Sequence, residues 1–360
     1  MDGLDRLTVV VPTYGRPAFV RRQMRYWAGS AVRLVIADGS PERHQIEKTE
    51  VPSNVTYLKL EGDFHSRMLR LADEVATEYV AVLGDDDFFG LDGLRAILRR
   101  LDHERTLVGC VGRSVRFFYQ EGVVLAEQRE PESSEFPPSV KSGIDRLYAT
   151  YHQGKIGAIF YGVYRSKPWA EVVRAAYSVR FKTGYIYDTV IRALMTYRGP
   201  IGVEDFVTWF CSSENPPVRD APGMDRNVGF MDWLTSEKTA NEVATCQELI
   251  VGDLEALGND SAHEIRRAVE FVFTELRSRY QAKAKVRGRL STKCRQLVIR
   301  RAPKPIKRIG KKFMPNFLRP VFDWSVEPFE DLFTKLTDRQ ISVSASDLMR
   351  IKELVLASHE

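Results

Sequence analysis

Four short apolar runs, rich in β-branched residues and separated by helix-patterned stretches, constrain this 360-residue chain more than any other feature. They fall at 7–12, 32–37, 55–60 and 79–83. A run that is apolar at nearly every position, rather than at alternate ones, suits a strand covered on both faces, as in a parallel sheet. Helical spacing appears between the runs, at 18–26, at 64–76 through Met68, Leu69, Ala72 and Val75, and again at 91–101. Strand and helix alternating at this interval predict an α/β fold with right-handed crossovers, Rossmann-like and built on a mostly parallel sheet.

Beyond Asp102 the pattern changes. Residues 107–111 and 115–119 read as strands, 127–138 as a polar, Pro-bearing loop, 142–151 as a helix and 156–164 as an aromatic strand. Pro168 fits the opening of a helix capped by Ser166. A helix at 187–197 is closed by Gly199-Pro200, and 201–211 reads as a strand. Pro216-Pro217 marks a domain edge near residue 215. This divides the chain into an α/β domain at 1–215 and a mostly α-helical C-terminal region at 216–360, with no second sheet. Ser344 or Ser346 is placed to cap a last helix ending near Ala357.

Composition narrows the class. A hydrophobic content of 44% with 28% charged residues is that of a soluble globular protein. Cys110, Cys211, Cys246 and Cys294 are far apart and lack the spacing of a zinc site, so buried reduced thiols are expected. No apolar run approaches the roughly 18 residues that span a bilayer. The run at 7–11 is short for an export leader and follows Asp2 and Asp5, so a cytoplasmic protein is expected. The net charge of +5 is unevenly distributed. Sixteen Lys and Arg and no Asp or Glu lie between Arg277 and Phe322, which leaves roughly −11 for the rest of the chain.

The fourth run leads straight into Asp85-Asp86-Asp87. The carboxyl end of a strand in an open α/β sheet is where ligands bind. Unit charges about 4 Å apart repel by about 4 kcal/mol at an effective dielectric near 20, so three adjacent carboxylates call for a counter-charge. Hard oxygen ligands with few dedicated positions suit Mg²⁺ or Mn²⁺ held partly by substrate phosphates. The plainer alternative is a solvated acidic turn ahead of the helix at Leu91.

Three other strand ends are expected beside the triplet. The first carries Pro12-Thr13-Tyr14-Gly15-Arg16, where Tyr14 suits stacking on a base and Arg16 a phosphate contact. The second carries Asp38, an acceptor for a nucleobase edge. After the third, Arg67 sits in the first turn of a helix, where a phosphate also meets the positive end of the helix dipole. Each signal is weak alone; on successive strand ends they describe a nucleotide crevice.

On these residues the chain resembles glycosyltransferases of the GT-A fold, in particular the large family 2-like group. Val11-Pro12-Thr13-Tyr14-Gly15-Arg16 matches its V-P-T-Y-x-R opening, and Ala37-Asp38-Gly39-Ser40 its second strand end. The stretch from Tyr79 to Asp87 matches its acidic strand end, and Asp85 to Phe88 a bacterial subgroup with D-D-D-F. The resemblance covers roughly residues 7–210. It implies that Asp38 reads the base and that Thr13, Tyr14 and Arg67 line the nucleotide site, with Pro12, Arg16 and Asp86 in the same nucleotide-binding set. It implies that Asp85 faces the ribose or the metal, and that Asp87 coordinates the metal. The implied activity is metal-dependent transfer of a sugar, with inversion, from a nucleotide-sugar donor, most often UDP-linked, to a hydroxyl of a glycan or lipid-linked glycan.

An inverting transfer needs a carboxylate to take the acceptor's proton. Similar enzymes supply it from an E-D pair opening a helix. Here Asp188 holds the second position of that pair, and Tyr187 departs from the pattern at the first. Asp188 as a simple helix cap is the plainer reading, and Glu204 and Asp205 are the fallback. The basic segment 277–319 reads either as a peripheral contact with the anionic inner face of the cell membrane or as a helix packed on the acidic domain. Nucleic acid is not an expected partner, because no recognised module accompanies the charge. A sugar nucleotidyltransferase would carry a Gly-rich G-x-G-T-R loop after the first strand, and a P-loop enzyme G-x-x-x-x-G-K-[ST]; neither is present. A non-catalytic partner that binds a nucleotide sugar stays open because of Tyr187.

Overall fold

The computed structural model describes residues 3–41, 46–128, 142–152, 159–181, 183–214, 229–288, 327–338 and 340–359. The four apolar runs form strands β1 (Leu7–Thr13), β2 (Arg33–Asp38), β3 (Val55–Lys59) and β4 (Tyr79–Val82). They pair in parallel in the order β3-β2-β1-β4. The chain moves outward from β1 to β3, then returns to place β4 on the other side of β1. That reversal makes a topological switch point, and in open α/β sheets the carboxyl ends of the strands on either side of it, here β1 and β4, are where ligands bind.

Alternate side chains of these strands enter two separate cores. Val10, Val35, Val80 and Val82 face one, and Val9, Val11, Ile36 and Ala81 face the other. The first face is covered by α2 (Phe64–Glu74), α5 (Ser166–Ala176) and α6 (Tyr185–Arg198). The second is covered by α1 (Pro17–Trp27) and α3 (Leu91–His103). Burial on both sides is the reason the runs are apolar throughout.

The other half of the sheet is antiparallel where it meets β4. There β8 (Val163–Arg165) lies between β4 and the long strand β6 (Gly109–Gln120), antiparallel to both. On β6 are laid β7 (Val123–Gln128), antiparallel, and β9 (Ile201–Ser212), parallel. Among the described residues this makes ten strands, with β5 (Phe88–Phe89) paired to the end of β9. The two strands expected at 107–111 and 115–119 are thus one. Its register shifts between Val111 and Ser114, beside Gly112, where a Cβ would stand 1.9 Å from Thr208 Oγ1. The aromatic strand expected at 156–164 is a 3-10 turn at Ile159–Tyr161 followed by β8, because Gly162 N–H closes onto the Ile159 carbonyl. Helix α5 begins at Ser166 itself, with Arg165 at the cap position and Pro168 in the first turn, where its missing N–H costs nothing.

The described part of the C-terminal region is mostly helical, as its sequence pattern indicated. Helix α4 (Gly143–His152) and α6 receive α7 (Phe230–Thr235), α8 (Ala240–Ala256) and α9 (Ala262–Gly288) on the first face. The end of the chain then crosses to the second face. There β10 (Glu327–Pro328) extends the sheet edge at β7, and α10 (Asp331–Asp338) and α11 (Ala345–Leu356) pack against the core. Ser344 caps α11. The domain edge at Pro216-Pro217, most of the polar loop, Cys294 and most of the basic segment 277–319 lie outside the described residues. Cys110 and Cys246 are buried free thiols, and Cys211 is half-buried. No helix among the described residues is long and apolar enough to cross a membrane.

Candidate functional site

At the switch point, Thr13 Oγ1 donates to Asp85 Oδ2 at 2.7 Å, joining the ends of β1 and β4. After β4 the chain turns tightly, with Asp87 N–H closing on the Gly84 carbonyl at 3.2 Å. A Cβ on Gly84 would stand 2.9 Å from Asp87 Oδ2, so a side chain there would press on that carboxylate. Helix α1 braces it: Gln23 Nε2 donates to the Asp85 and Asp87 carbonyls at 3.1 and 2.5 Å, and Arg22 Nη2 to the Asp86 carbonyl at 2.8 Å.

The three carboxylates are not left to repel one another, as the sequence alone implied. Arg16 Nη1 bridges Asp85 Oδ1 at 2.8 Å and Asp86 Oδ2 at 3.2 Å. Asp87 accepts from Trp209 Nε1 at 3.0 Å and from Ser212 N–H at 2.8 Å. Arg16 therefore binds the triplet in this structure, through one end of its guanidinium. Compensation is incomplete at Asp87, however. Burial, and then the charge of Asp86, push its carboxyl up to about 7 against the two donors that pull it down. Asp85 is likewise raised, by burial first, with Arg16 opposing.

This donor set fits a hard cation only in one way. Among the described residues no three His, Cys, Asp or Glu side chains converge on a common metal position. Asp86 and Asp87 present oxygens at a strand end short of positive charge, so an ion there must take most of its shell from water and phosphate oxygens, which is the habit of Mg²⁺ and Mn²⁺.

A second cluster adjoins the first through the Gly39 N–H bond to the Thr13 carbonyl at 3.1 Å. Asp38 is buried; its Oδ1 accepts from Ser40 N–H at 2.7 Å and from the Ser40 hydroxyl, and its Oδ2 accepts from Tyr57 at 2.5 Å. Ser40 Oγ in turn accepts from Gly15 N–H at 2.7 Å. Each Asp38 oxygen thus already has a protein donor, and a base edge would share these acceptors rather than find them free. Arg67 is 2% exposed and donates to the Gly62 carbonyl at 2.9 Å, while its buried Nε has no partner. Its guanidinium lies 5.7 Å from the Tyr14 ring centroid and against Gly39. Burial pulls its pKa down, and the fields of Asp38, Tyr14 and Asp85 oppose this. A buried guanidinium without a direct carboxylate partner, between two acidic strand ends, is suited to receive an anion. Pro12 lies within β1 opposite Ala37.

Asp188 occupies the first turn of α6 but does not cap it; Gly184 holds the cap position, and Asp188 pairs with Arg192 one turn on. Tyr161 feels the charge of both Asp188 and the triplet. That ring stacks on Trp209 at 4.0 Å, and its hydroxyl is raised by burial first, then by Asp87 and, further down, by Asp188. Asp188 is 38% exposed at its side chain, so it is open to solvent. Tyr187 is a core residue stacked on Tyr177 at 4.2 Å, which explains its departure from the acidic pattern. The fallback pair is displaced. Asp205 pairs with Arg113, and Glu204 faces Arg100 near the end of α3; both belong to the first half of β9, whereas the triplet meets its last residues.

Residues that sequence reasoning did not single out complete the site: Arg22, Gln23, Ser40, Tyr57, Tyr161, Trp209, Ser212 and Glu214. Trp209 lay within the strand expected at 201–211, and Arg22 and Gln23 within the helix expected at 18–26, with no signal of their own.

No protein-family model matches the sequence, and no curated protein matches it. Among solved structures the chain is similar to Staphylococcus aureus TarS. A fragment of that protein, 1–349, superposes with a TM-score of 0.46 at 10% identity over 98% of this chain and 91% of that one. The same fragment in complex with UDP-GlcNAc gives 0.48 at 11% identity over 98% and 91%. The longer TarS chain gives 0.45 at 11% identity, and this chain spans 54% of its length. Likeness at this level assigns no role to any residue here.

Proposed function

We propose that this protein is a glycosyltransferase that moves a sugar from a nucleoside-diphosphate sugar, with UDP as the nucleotide, to a hydroxyl of a glycan or lipid-linked glycan. The observation that carries the reading is the Thr13–Asp85 hydrogen bond at 2.7 Å, which joins the acidic turn to the strand end neighbouring Asp38 and Arg67. Side chains suited to a base, a phosphate and a cation then stand on neighbouring strand ends, which supports a nucleoside diphosphate as the ligand. In this reading Tyr14 and Asp38 hold the nucleoside. Arg67 faces the diphosphate. Asp85, fixed by Thr13 and Arg16, takes the ribose or cation side, and Asp86 and Asp87 face the cation.

A Mn²⁺ or Mg²⁺ ion held there supplies charge stabilisation for the departing diphosphate. The protein does the rest by position. Asp188 accepts the proton of the acceptor hydroxyl, whose oxygen forms the new bond to the anomeric carbon from the face opposite the leaving group. The sugar–phosphate bond breaks, and its electron pair leaves with the nucleoside diphosphate. That single displacement inverts the anomeric centre. Tyr161, stacked on Trp209, whose indole holds Asp87, is the aromatic face we assign to a sugar ring.

A thermal-shift screen of nucleoside diphosphates and their sugars, with and without Mn²⁺, tests the reading. A ligand at about 100 times its dissociation constant adds about 2.7 kcal/mol to stability. UDP with Mn²⁺ is expected to raise the transition and AMP to leave it unmoved; no shift with any nucleoside diphosphate overturns the proposal. Tyr187 at the pattern's acidic position supports a second reading, a non-catalytic protein that binds a nucleotide sugar beside another glycosyltransferase. Slow Mn²⁺-dependent hydrolysis of a donor sugar separates the two. The basic segment 277–319 supports a peripheral site at an anionic membrane on the cytoplasmic side. Co-sedimentation with anionic but not neutral liposomes is the expected result, at about 1 kcal/mol per basic residue near the surface.

A further inference from the structure

The acidic turn is braced from the far end of the chain. Arg22 donates to the Asp86 carbonyl at 2.8 Å and pairs with Glu214 at 2.9 Å, and the two side chains are 2% and 3% exposed. The guanidinium is held between rings, 4.5 Å from Phe19 and 5.0 Å from Phe88. Glu214 also takes part in the clamp on Asp87. Its backbone N–H donates to Ser212 Oγ at 3.2 Å, and Ser212 N–H donates to Asp87. The second oxygen of Glu214 receives His359 Nε2 at 2.9 Å. His359 lies flat on Tyr119, centroids 4.0 Å apart and planes 7° from parallel.

His359 follows α11, and α11 is itself fixed to the floor of the site. Asp347 accepts from the Asp92 N–H at 3.1 Å at the start of α3, and Arg350 donates to the Tyr26 carbonyl on α1. The chain of contacts from residue 359 to residue 86 is therefore continuous: ring stack, hydrogen bond, buried ion pair, backbone carbonyl.

We propose that Glu214 and His359 are positioning residues for the acidic turn, so that docking of the C-terminal helix sets how the turn presents Asp86 and Asp87 to a bound diphosphate and its cation. A buried ion pair that holds one geometry gives orientation more than stability. Second-layer partners of cation-binding carboxylates act in the same manner. The part concerning the diphosphate rests on the function proposed above; the mechanical coupling does not.

Three full-length variants test it. His359→Phe keeps the stack on Tyr119 and removes the donor to Glu214, His359→Gln restores a donor, and Glu214→Gln keeps size and removes the charge. Two measurements are made on each: amide hydrogen exchange of the peptide spanning 84–90, without ligand, and the dissociation constant for UDP with Mn²⁺. His359→Phe and Glu214→Gln are expected to speed exchange in that peptide and to weaken UDP–Mn²⁺ binding roughly ten- to a hundredfold, with exchange in β2 unchanged. His359→Gln is expected to recover most of both. Wild-type exchange at 84–90 in both His359→Phe and Glu214→Gln overturns the coupling. Faster exchange with unchanged UDP–Mn²⁺ affinity overturns its role in binding. If the wild-type protein binds no nucleoside diphosphate, the proposed function falls, and the exchange result still judges the coupling.

Discussion

Trp209 donates its indole N–H to Asp87 at 3.0 Å, across 122 positions of sequence, and so joins the end of β9 to the acidic turn after β4. With the Ser212 N–H it forms the whole protein-side compensation for a carboxylate that burial and Asp86 push up to about 7.

A pH dependence follows. The folded protein holds the Asp87 proton more tightly than the unfolded chain, whose carboxyl lies near 3.8. Stability of the ligand-free protein therefore falls as pH rises from about 3.8 to about 7 and levels off above, as far as this group is concerned. Cation-dependent donor binding runs the other way, because the proton must leave. Below the midpoint, affinity for UDP with Mn²⁺ is expected to fall by about tenfold per pH unit. Trp209→Phe removes a donor to the charged form, so the midpoint moves up. Calorimetric titrations at several pH values check both; a flat profile between pH 5 and 8 rejects the assignment.

Arg67 gives a sharper test through its neighbour. A Cβ on Gly39 would stand 2.1 Å from Arg67 Nη1 and 2.9 Å from its Cζ. Gly39→Ala must displace the guanidinium without touching its charge. Donor affinity is expected to fall by about tenfold or more, the loss of one charge-assisted hydrogen bond, while the melting temperature changes little. Arg67→Gln is expected to do the same. Unaltered UDP affinity in both variants removes Arg67 from the site.

The sequence made the parallel half of the sheet legible because burial on both faces leaves an unmistakable apolar run at Val9-Val10-Val11 and Tyr79-Val80-Ala81-Val82. It made the triplet legible because three adjacent carboxylates have few structural excuses. Their partners were hidden for a different reason. Arg22 and Gln23 sit in a helix whose polar residues look like any solvated face, yet both point inward to backbone carbonyls. Choosing between the two halves of β9 needed its direction. Only pairing parallel to β6 sends Trp209 and Ser212, and not Glu204 and Asp205, to the ligand end. The three-residue strand β8 carries too short a pattern to be told from a turn, and Gly162 just before it closes the preceding 3-10 turn.

Gly112 tests the packing that keeps β9 in that position. The Cβ that alanine would add lies 1.9 Å from Thr208 Oγ1 and 2.7 Å from the Phe206 carbonyl, so β9 must shift or β6 must bend. Overpacking of this kind costs about 1–3 kcal/mol. Gly112→Ala is expected to lower the melting temperature by several degrees, and the double variant with Thr208→Ala to recover part of the loss. Equal stability of Gly112→Ala and wild type refutes the close approach.

Asp188 carries the chemical step in the proposed function, and its surroundings make the prediction specific. It is not a helix cap, so Asp188→Asn removes no backbone partner, and the amide keeps the size of the side chain beside Arg192. Structural loss should therefore be small, and UDP with Mn²⁺ should bind as before because the substitution leaves the triplet and Arg67 unaltered. Turnover is expected to fall by about 10²-fold or more, since an amide cannot take the acceptor's proton. Arg192→Met removes the ion pair that holds the carboxylate in one orientation, and is expected to lower turnover less while leaving donor affinity intact. Steady-state kinetics with donor binding measured separately decides the matter. If Asp188→Asn turns over at near the wild-type rate, another group takes the proton. If it loses donor affinity in step with turnover, Asp188 belongs to the binding of the nucleotide sugar instead.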